Sequence, residues 1–376
     1  LSVGAVVEHD RVAGVASSMR TVQELRANLI KTIELQRSGF RSLGSPFYDR
    51  LGDELATTIL VDGPAWNTLA PFAGAPFEDA YVLRFFGGMH KLALDGSSPA
   101  LAAHFPSTEG DGDACAAMAA IVELLDGCPE EAGDALALPP QTNEVGRSPA
   151  LASGLLDIAG RTGMPIRLRE IGSSGGLNLR LDSYWYEQDG EGWGTRESPL
   201  RFTDLWEGGA PSFSPGAAIL DRRGCDRHPI DATTATGALT LLSYVWPEPH
   251  ERFDRIHQAL EIAHQAAVIV DEEDAAAWVP HELSTRAEGT VFVIMHSVVW
   301  QYLEAQTAAA VTEALTEAGA AASPHSPVAW LRLEPNPETY VPAELKITLW
   351  NGSRPEERLL ATTGFHGGPI AWQSGS

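Results

Sequence analysis

The sequence is poor in cysteine and in basic residues. Three cysteines stand in 376 residues, at Cys115, Cys128 and Cys225, and no two of them form a C-x-x-C pair. They are too few and too scattered for a disulfide framework, and they leave zinc knuckles and thioredoxin-type chemistry without their residues. A reducing, cytoplasmic setting is the expectation. Lys and Arg number 26 against 50 Asp and Glu, a formal net charge of −24. That balance disfavours a nucleic-acid backbone or an anionic membrane as partner, and it leaves room for a local basic groove that takes one small anion. No apolar run reaches the roughly 20 residues of a membrane span. The N-terminal residues lack the basic and apolar regions of a secretory signal, so none is expected, and a start on Leu1 in place of Met points to a trimmed end. Metal-ligand spacing is absent as well. His250, His257 and His264 recur every seven residues, ~10 Å apart along one helix face and too far for a single ion.

What is present is ordinary globular composition, 44% hydrophobic and 20% charged, in a length that suggests about two domains. Residues 1–20 read as a loose arm. Thr21 and Glu24 then form a capping-box pattern ahead of Leu25, Leu29 and Ile33 at helical spacing. Helical patterning continues through 46–60, 77–92, 99–105 and 112–125, and no convincing strand precedes residue 160. Beyond it, short apolar runs at 165–171, 217–220, 267–270, 290–295 and 328–333 alternate with helical patterns at 234–244, 251–263 and 300–318. Strands alternating with helices imply βαβ units and a mainly parallel sheet. Residues 344–350 and 357–362, around an Asn351-Gly352 turn signal, read as a closing antiparallel hairpin. The Gly-, Trp- and Asp-rich stretch 184–216 reads as an insertion. The expected architecture is a helical N-terminal (cap) domain over 1–150 and an α/β domain over 151–376.

The most informative stretch lies where the first strand ends: Glu170-Ile171-Gly172-Ser173-Ser174-Gly175-Gly176-Leu177-Asn178. An acid closes a strand, small residues make a turn, and a helix is expected next. Such a turn lets a ligand approach the backbone, and a helix N-terminus offers free N–H groups. Three readings compete with a turn that holds no ligand. The spacing resembles the first motif of class I S-adenosylmethionine-dependent methyltransferases, with Ser174 in place of the middle glycine. Dinucleotide binding fits less well, because it needs glycines where Ser174 and Leu177 stand. The turn also satisfies G-x-S-x-G, the nucleophile elbow of α/β-hydrolases, with Ser174 as nucleophile and Asp271 and His366 later in the right chain order. Against that reading, the N-terminal part is helical where a hydrolase would carry strands.

The methyltransferase resemblance implies a Rossmann-like sheet and assigns further residues. The turn 172–176, with Asn178 after it, would hold the methionine end of S-adenosylmethionine, and Glu170 would lie near its ammonium. Gly224-Cys225-Asp226-Arg227-His228-Pro229 is similar to the segment closing the family's second strand, which makes Asp226 the ribose ligand; a polar loop is the plain alternative. Asp271 or Asp274 would lie near the adenine, or form an acidic solvated turn. The fourth strand runs into His296, Ser297, Trp300 and Gln301, placed beyond a strand end where substrate is met. His296 suits a general base, and Trp300 suits packing against a sulfonium or an aromatic ring. A capping Ser297 beside a structurally bonded histidine is the other reading. A binding protein that kept the fold and lost the cofactor is the alternative outside enzymes.

The whole chain resembles an uncharacterised bacterial family known as domain of unknown function 2332. The resemblance rests on L-R-F-F-G-G-M-H at 83–90, Q-T-N-E-V-G-R-S at 141–148, R-E-I-G-S-S-G-G-L-N-L-R-L-D-S-Y at 169–184, M-H-S-V-V-W-Q-Y-L at 295–303 and R-L-L-A-T-T-G-F-H-G at 358–367. It brings no reaction with it. It draws attention to Asn143, Glu144 and Arg147, a set suited to an amino or carboxylate group or to an interdomain network, and to His90, a ligand candidate or a satisfied core histidine.

Overall fold

Capping sets the start of the first helix. The Thr21 N–H donates to the Glu24 carboxylate at 2.7 Å and the Glu24 N–H donates back to Thr21 Oγ at 3.2 Å, so two free donors are satisfied at the head of Val22–Ser42. In the computed structural model the described residues are 21–373 apart from 131, 132, 134, 135, 137, 138, 249 and 250; the arm at 1–20 and His250 lie outside them. The helices Pro46–Thr58, Tyr81–Leu94 and Ala114–Gly127 come next. Their apolar faces meet in one aromatic core, with Phe40, Phe47, Phe85, Phe86 and Phe105 fully buried. Rings pack at 5.3 Å for Phe40–Tyr48 and 5.1 Å for Phe47–Phe105, and Trp246, from far along the chain, stands edge-on to Phe40 at 5.2 Å. That last contact docks the helical layer on the rest of the chain.

The remainder is built on a nine-stranded sheet. Its strands are β1 Ile166–Ile171, β5 Trp206–Glu207, β6 Ile219–Asp226, β7 Ile269–Glu272, β8 Val291–Ser297, β9 Val328–Asn336, β10 Tyr340–Trp350, β11 Glu356–Thr363 and β12 Ile370–Trp372. They lie in the order β7-β6-β1-β8-β9-β10-β11-β12-β5. The strands β7 through β9 run parallel to one another. Numbered in chain order, those five read third, second, first, fourth, fifth, so the direction of winding reverses between β1 and β8. β8 is buried along Val291 to Met295, all within 1% exposure, as an apolar strand covered on both faces must be.

Several expectations need correcting. The closing hairpin, β10 with β11, is present, but β9 also turns straight into β10 through 337–339 and pairs with it antiparallel, extending the antiparallel part to a meander. The segment after the glycine turn is a 3-10 helix of six residues, Asn178–Ser183, too short to carry a useful dipole. The 184–216 insertion holds β2 Trp185–Gln188, β3 Glu191–Gly194 and β4 Arg201–Thr203 in a small separate sheet. Its Tyr186 stacks on Trp193 at 5.7 Å and on Phe202 at 5.5 Å. Three helices among the described residues, Pro64–Leu69, Ser148–Thr162 and Ala275–Leu283, are given no bounds by the sequence. Ser148–Thr162 is buried over most of its surface and so lacks a polar face, while Ala275–Leu283 starts from the cap Asp274. No helix among the described residues is long and apolar enough to cross a membrane. Nor do they hold a group of three or more His, Cys, Asp or Glu placed to bind a metal.

A strap, residues 141–147, leads from the helical layer into the sheet. It crosses the loop after β11 with the two backbones in contact. A Cβ on Gly146 would stand 2.2 Å from the His366 carbonyl oxygen, and one on Gly367 would stand 2.0 Å from that of Gly146. A Gly146→Ala variant is therefore expected to lose stability by roughly 1–3 kcal/mol through overpacking against backbone that has no room to yield. Urea unfolding checks this, and an unchanged midpoint contradicts the crossing.

Candidate functional site

In open α/β sheets ligands settle beyond the carboxyl ends of the strands, where the winding reverses. Here that place is between Glu170-Ile171 of β1 and His296-Ser297 of β8. Each strand leaves it through a strained bend: Ser174 has φ +50° and Val298 has φ +51°, a conformation costly for any non-glycine residue and most of all for a β-branched one. The two bends touch. Val299 Cγ2 lies 2.4 Å from where a Cβ on Gly172 would be.

The glycine turn is wired into the protein. The Gly172 and Ser173 N–H groups donate to the Cys225 carbonyl at 2.9 and 3.1 Å, and that of Gly176 donates to the Ser173 carbonyl at 2.7 Å. The Ser174 N–H donates to Asp226 at 2.9 Å, and the Leu177 N–H donates to Asn143 Oδ1 at 2.9 Å. The Ser174 hydroxyl donates to Gln141 Oε1 at 2.7 Å, and the Ser173 hydroxyl donates to the Glu170 carbonyl at 2.9 Å. On the other side Arg180 Nη1 donates to the carbonyls of Gly175 and Gly176 at 3.1 and 2.8 Å. A Cβ on Gly175 would meet Leu241 Cδ1 at 2.6 Å. The small residues are needed because the chain itself packs against them.

The strap packs on the turn, with Gln141 on the Ser174 hydroxyl and Asn143 on the Leu177 N–H. The other residues assigned to S-adenosylmethionine also have partners. Asp226 accepts from the Ser174 and His228 N–H groups, each at 2.9 Å. Asp271 takes both ends of the Arg223 guanidinium at 2.5 and 2.7 Å and the Trp278 indole N–H at 2.8 Å. The hydrogen bond from Arg223 comes first among the causes holding the Asp271 carboxyl below its ordinary value. Asp274 caps its helix through the Ala276 N–H at 2.9 Å. The hydrolase arrangement is not assembled: Ser174 bonds Gln141, Asp271 bonds Arg223, and the His366 ring stands edge-on to Trp246 at 4.8 Å.

His296 is fully buried and both ring nitrogens are occupied. Nδ1 bonds Glu334 Oε1 at 2.5 Å, Nε2 accepts the Trp330 indole N–H at 3.0 Å, and Trp300 stacks on the ring at 5.0 Å. No lone pair is left for a general base, so the geometry is that of the structurally bonded histidine. His90, in the helical core, uses its nitrogens on the Ser243 carbonyl at 3.0 Å and the Ser107 hydroxyl at 2.7 Å, and burial pulls its pKa down to about 4. Ser297 offers its carbonyl to Arg147 at 3.0 Å. Gln301 lies half-buried on the turn Trp300–Tyr302.

The strap brings charge to the same edge. Glu144 accepts Arg252 Nε and Nη2 at 2.9 and 2.6 Å and the Gly146 N–H at 3.0 Å. Burial alone would raise its carboxyl; the Arg252, His366 and Arg147 side chains and the Gly146 N–H together outweigh that and hold it at about 2. Asn178 ties the strap down, accepting the Ser148 hydroxyl at 2.7 Å and donating to the Glu144 carbonyl at 3.4 Å. Arg147 is buried to 7% exposure and donates from Nε to the Phe365 carbonyl at 2.8 Å and from Nη1 to that of Ser297. Among the described residues no carboxylate lies within 4.0 Å of it. Glu170, 2% exposed, has an Oε2 with no hydrogen-bond partner, and burial pushes its pKa up to about 8. Sequence reasoning does not reach Glu334, Gln141, Arg252 and His366 as members of this network. Glu334 closes an apolar strand as Glu170 does, and that signal could have found it.

Charged groups gathered at the carboxyl edge of parallel strands, beside a helical layer, mark this as an α/β protein with a parallel-rich nine-stranded sheet. The chain belongs to a family described as uncharacterized proteins conserved in bacteria (DUF2332), whose model matches residues 32–372. No curated protein and no solved structure matches it.

Glu170 gives a pH test. Its carboxyl keeps a proton in the folded chain up to about pH 8 and loses it near the ordinary 4.5 when unfolded. The folded state thus binds the extra proton between those values, and stability falls as pH rises from 4.5 to 8. In Glu170→Gln this fall is expected to disappear, so that the variant gains on the parent between pH 5 and pH 8 in denaturant melts. Parallel pH profiles contradict the assignment.

Proposed function

We propose that the protein binds a small molecule at the carboxyl ends of β1 and β8, with Arg147, Ser297 and Gln301 at the mouth of the site. The observation that carries this is Arg147: a buried guanidinium, at the reversal of the sheet, held by backbone carbonyls and matched by no carboxylate among the described residues. Burying a charge without its counter-ion is costly, and a ligand that supplies one offsets the cost. The two strained bends beside it support the same place, since strain of this kind clusters at sites of function. The test is retention. The full chain is incubated with a bacterial metabolite extract, re-isolated by gel filtration, and its released small molecules are identified by mass spectrometry. A compound held by the parent and absent from Ser297→Phe is the expected result. Equal recovery from both, or none from either, overturns the proposal.

S-adenosylmethionine-dependent methyl transfer is a second reading. The order third-second-first-fourth-fifth in the parallel strands and the acids Glu170 and Asp226 closing the first two support it. It requires the strap to leave the turn. Thermal shifts with millimolar S-adenosylmethionine, S-adenosylhomocysteine and NAD decide it. A rise of several degrees with the first two, lost in Asp226→Ala, is the result this reading expects. No shift with any of the three removes it.

A further inference from the structure

We propose that the ligand at this edge is a small zwitterion of the α-amino-acid type, its carboxylate taken by Arg147 and its ammonium by Glu334. This rests on the reading that the carboxyl edge of β1 and β8 is the binding site, and it adds the chemistry of what binds there.

Arg147 sets the anionic half. Its guanidinium is pinned at two points, by the carbonyl at the end of β8 and by the Phe365 carbonyl after β11, so its plane is fixed before any ligand arrives. Nη2 makes no hydrogen bond to the described residues. Of the other two buried arginines, Arg169 is matched by Glu282 and Asp221, while Arg180 spends itself on the carbonyls of Ala266, Gly175 and Gly176 inside the glycine turn; Arg147 is the one of the three that stands beside the end of β8 and Glu334. A preorganised guanidinium with an unused N–H edge and no partner carboxylate is a receptor for a planar anion.

Glu334 sets the cationic half. Three donors converge on its Oε1: His296 Nδ1 at 2.5 Å and the N–H groups of Val299 and Trp300 at 3.1 and 3.3 Å. Its Oε2 is buried and has no partner among the described residues. The carboxyl is therefore held rigid with one acceptor unmet, which an ammonium would fill with charge-assisted hydrogen bonds. Arg147 and Glu334 grip one bend from two sides. Arg147 holds the carbonyl of Ser297; Glu334 holds the amides two and three residues on; strained Val298 lies between them. The two are near enough for the Glu334 charge to act on the Arg147 guanidinium.

Net charge selects among the ligands that could meet this pair. A plain carboxylate answers Arg147 and leaves Glu334 unmet. A phosphate brings further negative charge toward Glu334, on a chain that already carries −24. A zwitterion answers both groups and has no net charge for the acidic surface to repel.

The experiment is calorimetric titration of the full chain with the twenty common L-amino acids, each beside its desamino carboxylic acid and the matching amine. At least one amino acid is expected to bind with submillimolar affinity and at least tenfold more tightly than its two truncated forms. Glu334→Gln keeps an oxygen for the three converging donors and replaces the other with an amide; it is expected to lose about tenfold toward the amino acid and to keep the carboxylic acid. Arg147→Lys is expected to weaken both. Should either variant fail to fold, judged by circular dichroism, the comparison of the three ligand forms on the parent chain decides alone. Carboxylic acids binding as well as amino acids, or amino acid affinity unchanged in Glu334→Gln, overturns the zwitterion while leaving the proposed site standing. No binding by any amino acid overturns it as well. Failure of the retention test above, by contrast, removes the proposed site itself.

Discussion

The geometry of the carboxyl edge depends on a single guanidinium held by main-chain oxygens. Arg147 joins three elements distant in sequence: the strap that carries it, the end of β8 through Ser297, and the loop after β11 through Phe365. The backbone crossing of Gly146 and Gly367 brings those elements close enough for the side chain to reach both carbonyls. Burial lowers the Arg147 pKa, and the charges of Glu144 and Glu334 oppose that effect without either making direct contact. A charge kept under such conditions contributes little to folding compared with an apolar side chain of the same size. Its place at the sheet reversal is what the proposed ligand role draws on.

The same edge shows how one environment moves acids in opposite directions. Glu144 and Glu170 are both buried. Glu144 has Arg252 in two-point contact, and its carboxyl is held low. Glu170 has one oxygen without a partner among the described residues, and burial dominates. The His366 ring, beside Trp246, is driven by burial to about 3 and stays neutral over the physiological range. The resulting pattern sets Arg147, Arg180 and Arg252 beside Glu144, Glu334 and Asp226, close to charge balance inside a chain whose net charge is strongly negative.

Much of the sheet is legible in the sequence, and for a physical reason. Strands buried on both faces must be continuously apolar, and β8 and β9 announce themselves that way. The helix Ser148–Thr162 is not legible, because burial on nearly every side removes the polar stripe that marks a helix. The glycine turn stands at the expected strand end, but its contents differ from the expected ones. Small residues that would admit a ligand admit Val299 and Leu241 equally well, and a sequence does not distinguish the two. His296 has the sequence position of a free base at a strand end. Its partners Trp330 and Glu334 lie 34 and 38 residues further on, and only the pairing of β8 with β9 brings them to the ring. The strap motif at 141–148 stands out in the sequence, and the network it forms is already suggested by its mix of amide, acid and guanidinium.

The central claim is that Arg147 faces a ligand carboxylate and not one of the chain's own. A crystal structure of the full chain grown with a mixture of the twenty L-amino acids tests it most directly. The expected result is a carboxylate on Arg147 Nη2 with an amino nitrogen turned toward Glu334 Oε2. Arg147 swung onto a carboxylate of the protein, with nothing bound between β1 and β8, would contradict it.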